Sequence, residues 1–217
     1  MAHQFRIAKT LIRRSLGTKQ PKPKILVICE GKITEPKYFQ DFKDWCGNSL
    51  VTVTTLGGCG VPISVIERAI LEKEQLARAA KASKNSFDTH FEVWAVFDRD
   101  VHPKQQLHQA IALAKKNNIP IAYSNPCFEL WGLMHYSCEA RPGHHHETQK
   151  RLKLVLSGYC HEKNPVLSFT QLQPKYVTAV SNSIQALKNR EAEGRTYGDP
   201  STTVHLLTER IRQFGRS

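Results

Sequence analysis

Lys24-Ile25-Leu26-Val27-Ile28-Cys29-Glu30-Gly31 is an apolar run that ends in a carboxylate and a glycine. A second run, Val93-Trp94-Ala95-Val96-Phe97-Asp98-Arg99-Asp100, ends in Asp-x-Asp. Continuous apolar runs of this kind read as strands buried on both faces of a parallel sheet. In open α/β sheets, ligands bind beyond the carboxyl ends of such strands. Residues two apart in extended chain point the same way, so Asp98 and Asp100 are expected to face one ion together. With Glu30 they bring three carboxylates to one place, which repel unless a cation sits between them. Mg²⁺ or Mn²⁺, which prefer oxygen ligands and phosphate partners, is the expected occupant.

Outward from these runs, strand and helix signals alternate. Thr34-Glu35-Pro36-Lys37 opens a helix, with Thr34 as its N-cap and an acid and a proline in the first turn. Tyr38, Phe39, Phe42 and Trp45 form its apolar stripe. Residues 49–55 are β-branched and read as the second strand, Gly57-Gly58-Cys59-Gly60 as a flexible turn, and 62–82 as a long helix. The third strand spans 91–97, a helix 105–117 and the fourth strand 119–123, after which Asn125-Pro126 opens a helix through 137. This alternation predicts an α/β fold, a mostly parallel four-stranded sheet flanked by helices. After Arg141 the strand signal fades, and 148–157, 174–190 and 201–214 read as helices. The chain thus divides into a basic flexible arm (1–23), an α/β domain (24–140) and a helical C-terminal region packed on it (141–217).

The charge is unevenly distributed. The chain has 217 residues and a formal net charge of +12, with 40% hydrophobic and 23% charged residues. Arg6, Lys9, Arg13, Arg14, Lys19, Lys22 and Lys24 make the first segment wholly basic, residues 25–140 are close to neutral, and residues 141–217 are again basic. Basic flanks around a neutral middle point to a polyanion, nucleic acid above all, with Arg13 and Arg14 as phosphate contacts; solubility alone is the plainer reading. No apolar stretch approaches the roughly 20 residues of a membrane span, and the N-terminus has no apolar signal core. Six cysteines without Cys-x-x-Cys spacing read as small free hydrophobes in a reducing cytoplasm.

Glu129 sits in Asn125-Pro126-Cys127-Phe128-Glu129-Leu130-Trp131, among apolar neighbours, and needs a partner if buried: a metal, or Lys32 or Arg99. Lys32 and Lys37 flank Glu30 and, with Arg99, are candidates to hold a phosphate, aided by the amides of the helix that follows; ordinary surface lysine is the alternative. The glycine turn is not followed by a P-loop pattern and reads as a turn that lets backbone approach the site. His135 reads as structural or substrate-facing. Pro142-Gly143-His144-His145-His146 reads as a solvated connection, because zinc sites usually pair ligands at short fixed spacing.

Several of these segments together resemble the RloB-like family. Ile28-Cys29-Glu30-Gly31-Lys32-Ile33-Thr34-Glu35-Pro36-Lys37-Tyr38-Phe39 is similar to its opening block, Phe97-Asp98-Arg99-Asp100 to its third-strand block, and Asn125 through Trp131 with His135 to the next. Gly198-Asp199-Pro200-Ser201-Thr202 resembles its C-terminal block, with Gly-Asp replacing the usual residues before proline. The blocks occur in order over residues 24 to 210. The resemblance implies a Toprim-like (Rossmann-like) fold, similar to the metal-binding domain of topoisomerases and primases, with Glu30, Asp98 and Asp100 as metal-binding and catalytic acids. The further acid of many Toprim sites is missing from Val101-His102-Pro103-Lys104, and Glu129 is the candidate replacement. The implied function is Mg²⁺-dependent phosphodiester hydrolysis of DNA or RNA in a bacterial anti-phage system, with an AAA- or ABC-type ATPase partner and a homo-oligomer as a further option. A non-catalytic module binding nucleic acid or the ATPase, and a phosphotransfer enzyme acting on small nucleotides, are the alternatives.

Overall fold

The computed structural model describes residues 21–55, 60–83, 85–99, 102–138 and 141–216. Arg13, Arg14, Asp100, Gly57, Gly58 and Cys59 lie outside them. The strands β1 (Lys24–Cys29), β2 (Val51–Thr55), β3 (Phe91–Asp98), β4 (Ile121–Asn125) and β5 (Ser201–Thr202) form one sheet in the order β2-β1-β3-β4-β5. The first four are parallel; β5 runs antiparallel to β4, setting Ser124 opposite Thr202 and Asn125 opposite Ser201.

Eight α-helices accompany the sheet among the described residues: α1 (Thr34–Trp45), α2 (Pro62–Ser83), α3 (Lys104–Lys116), α4 (Glu129–Met134), α5 (His145–Val155), α6 (Phe169–Leu172), α7 (Tyr176–Ala192) and α8 (Val204–Gln213). Side chains alternate across the strands, which feeds two cores. Ile25, Val27 and Cys29 of β1, with Trp94 and Val96 of β3, face one core with α1 and α4 to α8. Ile28 of β1, with Val93, Ala95 and Phe97 of β3, faces the other with α2 and α3. Both faces of β1 and β3 are covered, so their sequences run apolar without a break. Cys29, Cys46 and Cys127 are buried free thiols. No helix is long and apolar enough to cross a membrane among the described residues.

The four-stranded sheet expected from the sequence gains a fifth strand. Two residues are too few to carry a period of two, so Ser201-Thr202 reads as the start of the following helix. Residues 141–217 therefore supply a sheet edge as well as helices. β4 begins two residues later than predicted, at Ile121, because Pro120 has no N–H to give a ladder. It continues through Asn125, which is paired with Ser201, so α4 starts at Glu129 rather than at the Asn125-Pro126 turn. Thr34 is the first residue of α1 and not its N-cap; Ile33 occupies that position and makes no side-chain cap bond.

An aromatic cluster ties α1 to the C-terminal helices. Tyr38 is fully buried, its ring centroid 5.6 Å from those of both Phe128 and Phe169. Phe42 lies 5.1 Å from Phe169 and 5.2 Å from Tyr176. Phe42→Ala empties the centre of this cluster and is expected to cost roughly 3–5 kcal/mol of unfolding free energy, measured in urea. A loss below 1 kcal/mol would show that α1 is held by something other than this packing.

Candidate active site

The order of the strands places one crevice in advance of any side chain. From β1 the chain passes to β2 on one side and then to β3 on the other, so the winding direction reverses between β1 and β3. Loops leave that point in opposite directions and open a crevice at the carboxyl edge. Glu30 follows β1 and still donates its backbone N–H to Val96 O (2.9 Å), so it ends level with the neighbouring strand. Asp98 is the last residue of β3, and its Oδ2 accepts from Phe128 N (3.3 Å) just before α4. Glu129 opens α4 and is buried.

These three acids and Glu35, from the first turn of α1, line a single open pocket of about 490 Å³. Lys32, His145, Gln149 and His161 stand around them. Two glycines make the close approaches possible. A β-carbon on Gly31 would collide with the Glu35 carboxylate, and one on Gly60 would sit 2.8 Å from Glu30 Cγ.

Neighbouring groups push the carboxylates in opposite directions. Glu35 is raised to about 7: burial is the main cause, repulsion from Glu129 and Glu30 adds to it, and bonds to the backbone at Glu35 and Gly31 work against it. Burial pushes Glu129 up too, but hydrogen bonds from His161, Tyr159 and Cys127 outweigh it and hold the group below its ordinary value. Tyr159 Oη donates to Glu129 Oε1 (2.7 Å), and His161 Nδ1 lies 3.1 Å from the same oxygen. A polar chain runs outward from there, with Gln149 Nε2 3.5 Å from His161 Nε2 and Gln149 Oε1 3.3 Å from His146 Nδ1. Glu30 Oε1 is 3.0 Å from His102 Nε2.

The structure thus brings Glu30, Asp98, Glu129 and Lys32 together. Lys37 does not join them: it reaches Asp41 one turn on (2.5 Å) and lines a separate groove, because helical spacing sets residue 37 on a different face from residue 35. Arg99 opens into a neighbouring cavity instead, since it alternates to the opposite side of β3 from Asp98. Of the partners the sequence offered Glu129, a metal or Lys32 or Arg99, the two cations are replaced by Tyr159 and His161. His135 is a core residue; its Nδ1 lies 2.9 Å from Trp131 O, and burial lowers it to about 4. His144, His145 and His146 bring one ring nitrogen each within 4.8 Å of one another. No carboxylate trio is that tight among the described residues.

Glu35, His102, Tyr159 and His161 are the members that sequence reasoning passes over. Glu35 looks like the ordinary first-turn acid of a helix, and its only distinguishing signal is the glycine four residues before it. Nothing in the spacing shows that His102 returns to Glu30, or that His161 and Tyr159 reach Glu129 from about thirty residues away.

In comparisons with known proteins, a family model described as RloB-like protein matches residues 25–211. No curated protein and no solved structure matches the chain.

Because the Glu35 pKa is raised on folding, its protonated form is the one the fold favours. In the metal-free protein this contribution is complete below pH 4.5 and is lost as pH rises through about 7. At 1.36 kcal/mol per unit, wild type should fall behind Glu35→Gln by roughly 3 kcal/mol across that window. Urea unfolding of both proteins from pH 4 to 8.5 in EDTA checks this; parallel curves would mean that Glu35 ionises freely.

Proposed function

This chain belongs to the RloB-like family, and from that premise we propose that it is a metal-dependent phosphodiester hydrolase of DNA or RNA with a Toprim-like carboxylate site. The observation that carries the reading is the gathering of Glu30, Glu35, Asp98 and Glu129 around one open pocket at the sheet's reversal point. A fold that needed these acids only for solubility would spread them. Here Glu35 is instead buried where Glu129 and Glu30 repel its charge. The basic flanks of the sequence fit a polyanionic substrate.

The donor set suits a hard divalent cation, being carboxylate oxygen on every side. The carboxylates stand further apart than a closed all-protein cage requires, which matches Mg²⁺: that ion keeps several waters and needs only one or two direct carboxylates. Asp98, Glu30 and Glu129 would hold it, with Asp100 as the sequence-adjacent acid. A divalent ion at these residues would supply Lewis-acid polarisation of a phosphoryl oxygen and a more acidic water.

The remaining work falls to this chain's own groups. Tyr159 and His161 fix Glu129 in its ionised form and leave it little freedom to turn. His102 orients the Glu30 carboxylate through Oε1 and gives it a proton relay. Glu35, which burial raises to about 7 in the metal-free protein, is the carboxyl group of the pocket suited to hand a proton to a departing oxygen. Lys32 stands exposed at the rim, where it meets an incoming phosphate. The family resemblance adds the biological setting to the proposal: an anti-phage effector partnered by an AAA- or ABC-type ATPase.

The test is incubation of the purified chain with plasmid, linear DNA and tRNA in Mg²⁺, Mn²⁺ or EDTA, with and without the ATPase. Cleavage is expected with metal and not in EDTA. Glu30→Gln and Asp98→Asn should each lose on the order of 10²–10⁴-fold in rate while folding normally. Wild-type rates in both variants, or no cleavage by wild type under any condition, would overturn the reading.

A further inference from the structure

A second cavity, of about 560 Å³, opens on the other side of the Asp98–Arg99 strand end. Its walls carry Arg99, Lys104, His108, Asn125, Arg195 and Asp199. The last comes from the Gly198-Asp199-Pro200-Ser201-Thr202 segment, to which the carboxylate pocket gives no role. Arg195 is bonded to Glu193, which leaves Arg99 and Lys104 to face the Asp199 carboxylate and gives the cavity a cationic balance, opposite in sign to its neighbour.

Three further features point to a ligand. Arg99 Nε is buried without a hydrogen-bond partner, and an unsatisfied guanidinium N–H is costly to bury. Asn125 Oδ1 and Asp199 Oδ1 are buried without donors in the same wall, although Asn125 Nδ2 and Asp199 Oδ2 are bonded, to Tyr197 O and Gly143 N respectively (both 2.9 Å). The third feature is α3, which begins at Lys104 behind Pro103 with no side-chain cap, so its first-turn amides and dipole favour negative charge at the pocket.

Adjacent residues at the end of β3 line the two cavities. Asp98 closes one and Arg99 the other, because consecutive residues at a strand end point to opposite faces. A ligand long enough to lie along the carboxyl edge, from the β1–β3 crevice toward β4 and β5, would fill both.

We propose that the cavity of Arg99 and Lys104 holds a phosphate of a single nucleic-acid strand, next along the chain from the phosphate that enters the carboxylate pocket. Arg99 and Lys104 contact that phosphate, and Asn125 Oδ1 and Asp199 Oδ1 take donors from the attached sugar or base. The inference rests on nucleic acid as the substrate class, but not on cleavage.

The experiment is therefore binding without metal. The full chain is titrated in EDTA with a fluorescein-labelled single-stranded oligonucleotide, by anisotropy at several salt concentrations. Arg99→Gln and Lys104→Gln should each weaken binding about tenfold, as expected for a lost charge-assisted hydrogen bond. Each should also flatten the salt slope by about 0.7. Lys81→Gln serves as the control for simple loss of charge: it lies at the C-terminal end of α2, which runs from the carboxyl edge of the sheet to its amino edge. Lys104 is exposed, so its variant should fold normally even if that of Arg99 does not. If Arg99→Gln and Lys104→Gln bind no worse than Lys81→Gln, or if wild type does not bind the strand, the proposal fails. Failure of cleavage with these binding losses intact would overturn only the hydrolase reading.

Discussion

The parallel pairing of β1 with β3 is the constraint from which the rest of the structure follows. β1 is hydrogen-bonded on both sides, to β2 and to β3, and its register sets Cys29 opposite Val96. The ladder extends one residue further through Glu30 N and Val96 O. Two carboxylates that stand 68 positions apart in sequence therefore emerge at the same edge, at the point where the chain reverses its winding. Because each strand is buried on both faces, slipping the register by one residue would turn every side chain toward the wrong core. The edge geometry is thus fixed by the whole interior.

Acids concentrated at such an edge are costly, and the structure offsets the cost unevenly. Glu129 receives Tyr159 and His161 and stays ionised, whereas burial pushes Glu35 toward neutrality against backbone bonds at Glu35 itself and at Gly31. Carboxyl groups driven apart in pKa by their surroundings are suited to different tasks, one holding charge and the other holding a proton. The aromatic cluster around Tyr38 serves this arrangement, since it locks α1, which carries Glu35, against Phe128, which precedes Glu129.

The same alternation that separates the two cores also separates the two cavities. Phe97 faces the α2–α3 side, Asp98 the α4 side and Arg99 the α3 side again, so acid and base are sorted by one step along β3. The antiparallel strand β5 completes the second cavity, because its pairing with β4 carries Asp199 and the loop before it to Asn125 and Arg99.

The sequence by itself determined the α/β class, the parallel strands and the places where Glu30, Asp98 and Glu129 leave them. Those features are local, since an unbroken apolar run needs two covered faces and its polar stop marks the edge. β5, the burial of Glu35 and the pairs His102–Glu30 and His161–Glu129 were decided only by the tertiary structure. A two-residue strand has no period to detect, and a buried acid resembles a surface one until its neighbours are known. The assignment of Lys37 and Arg99 was decided there too. Proximity in sequence places a side chain near an edge, but the helix face and the strand parity determine which cavity it enters.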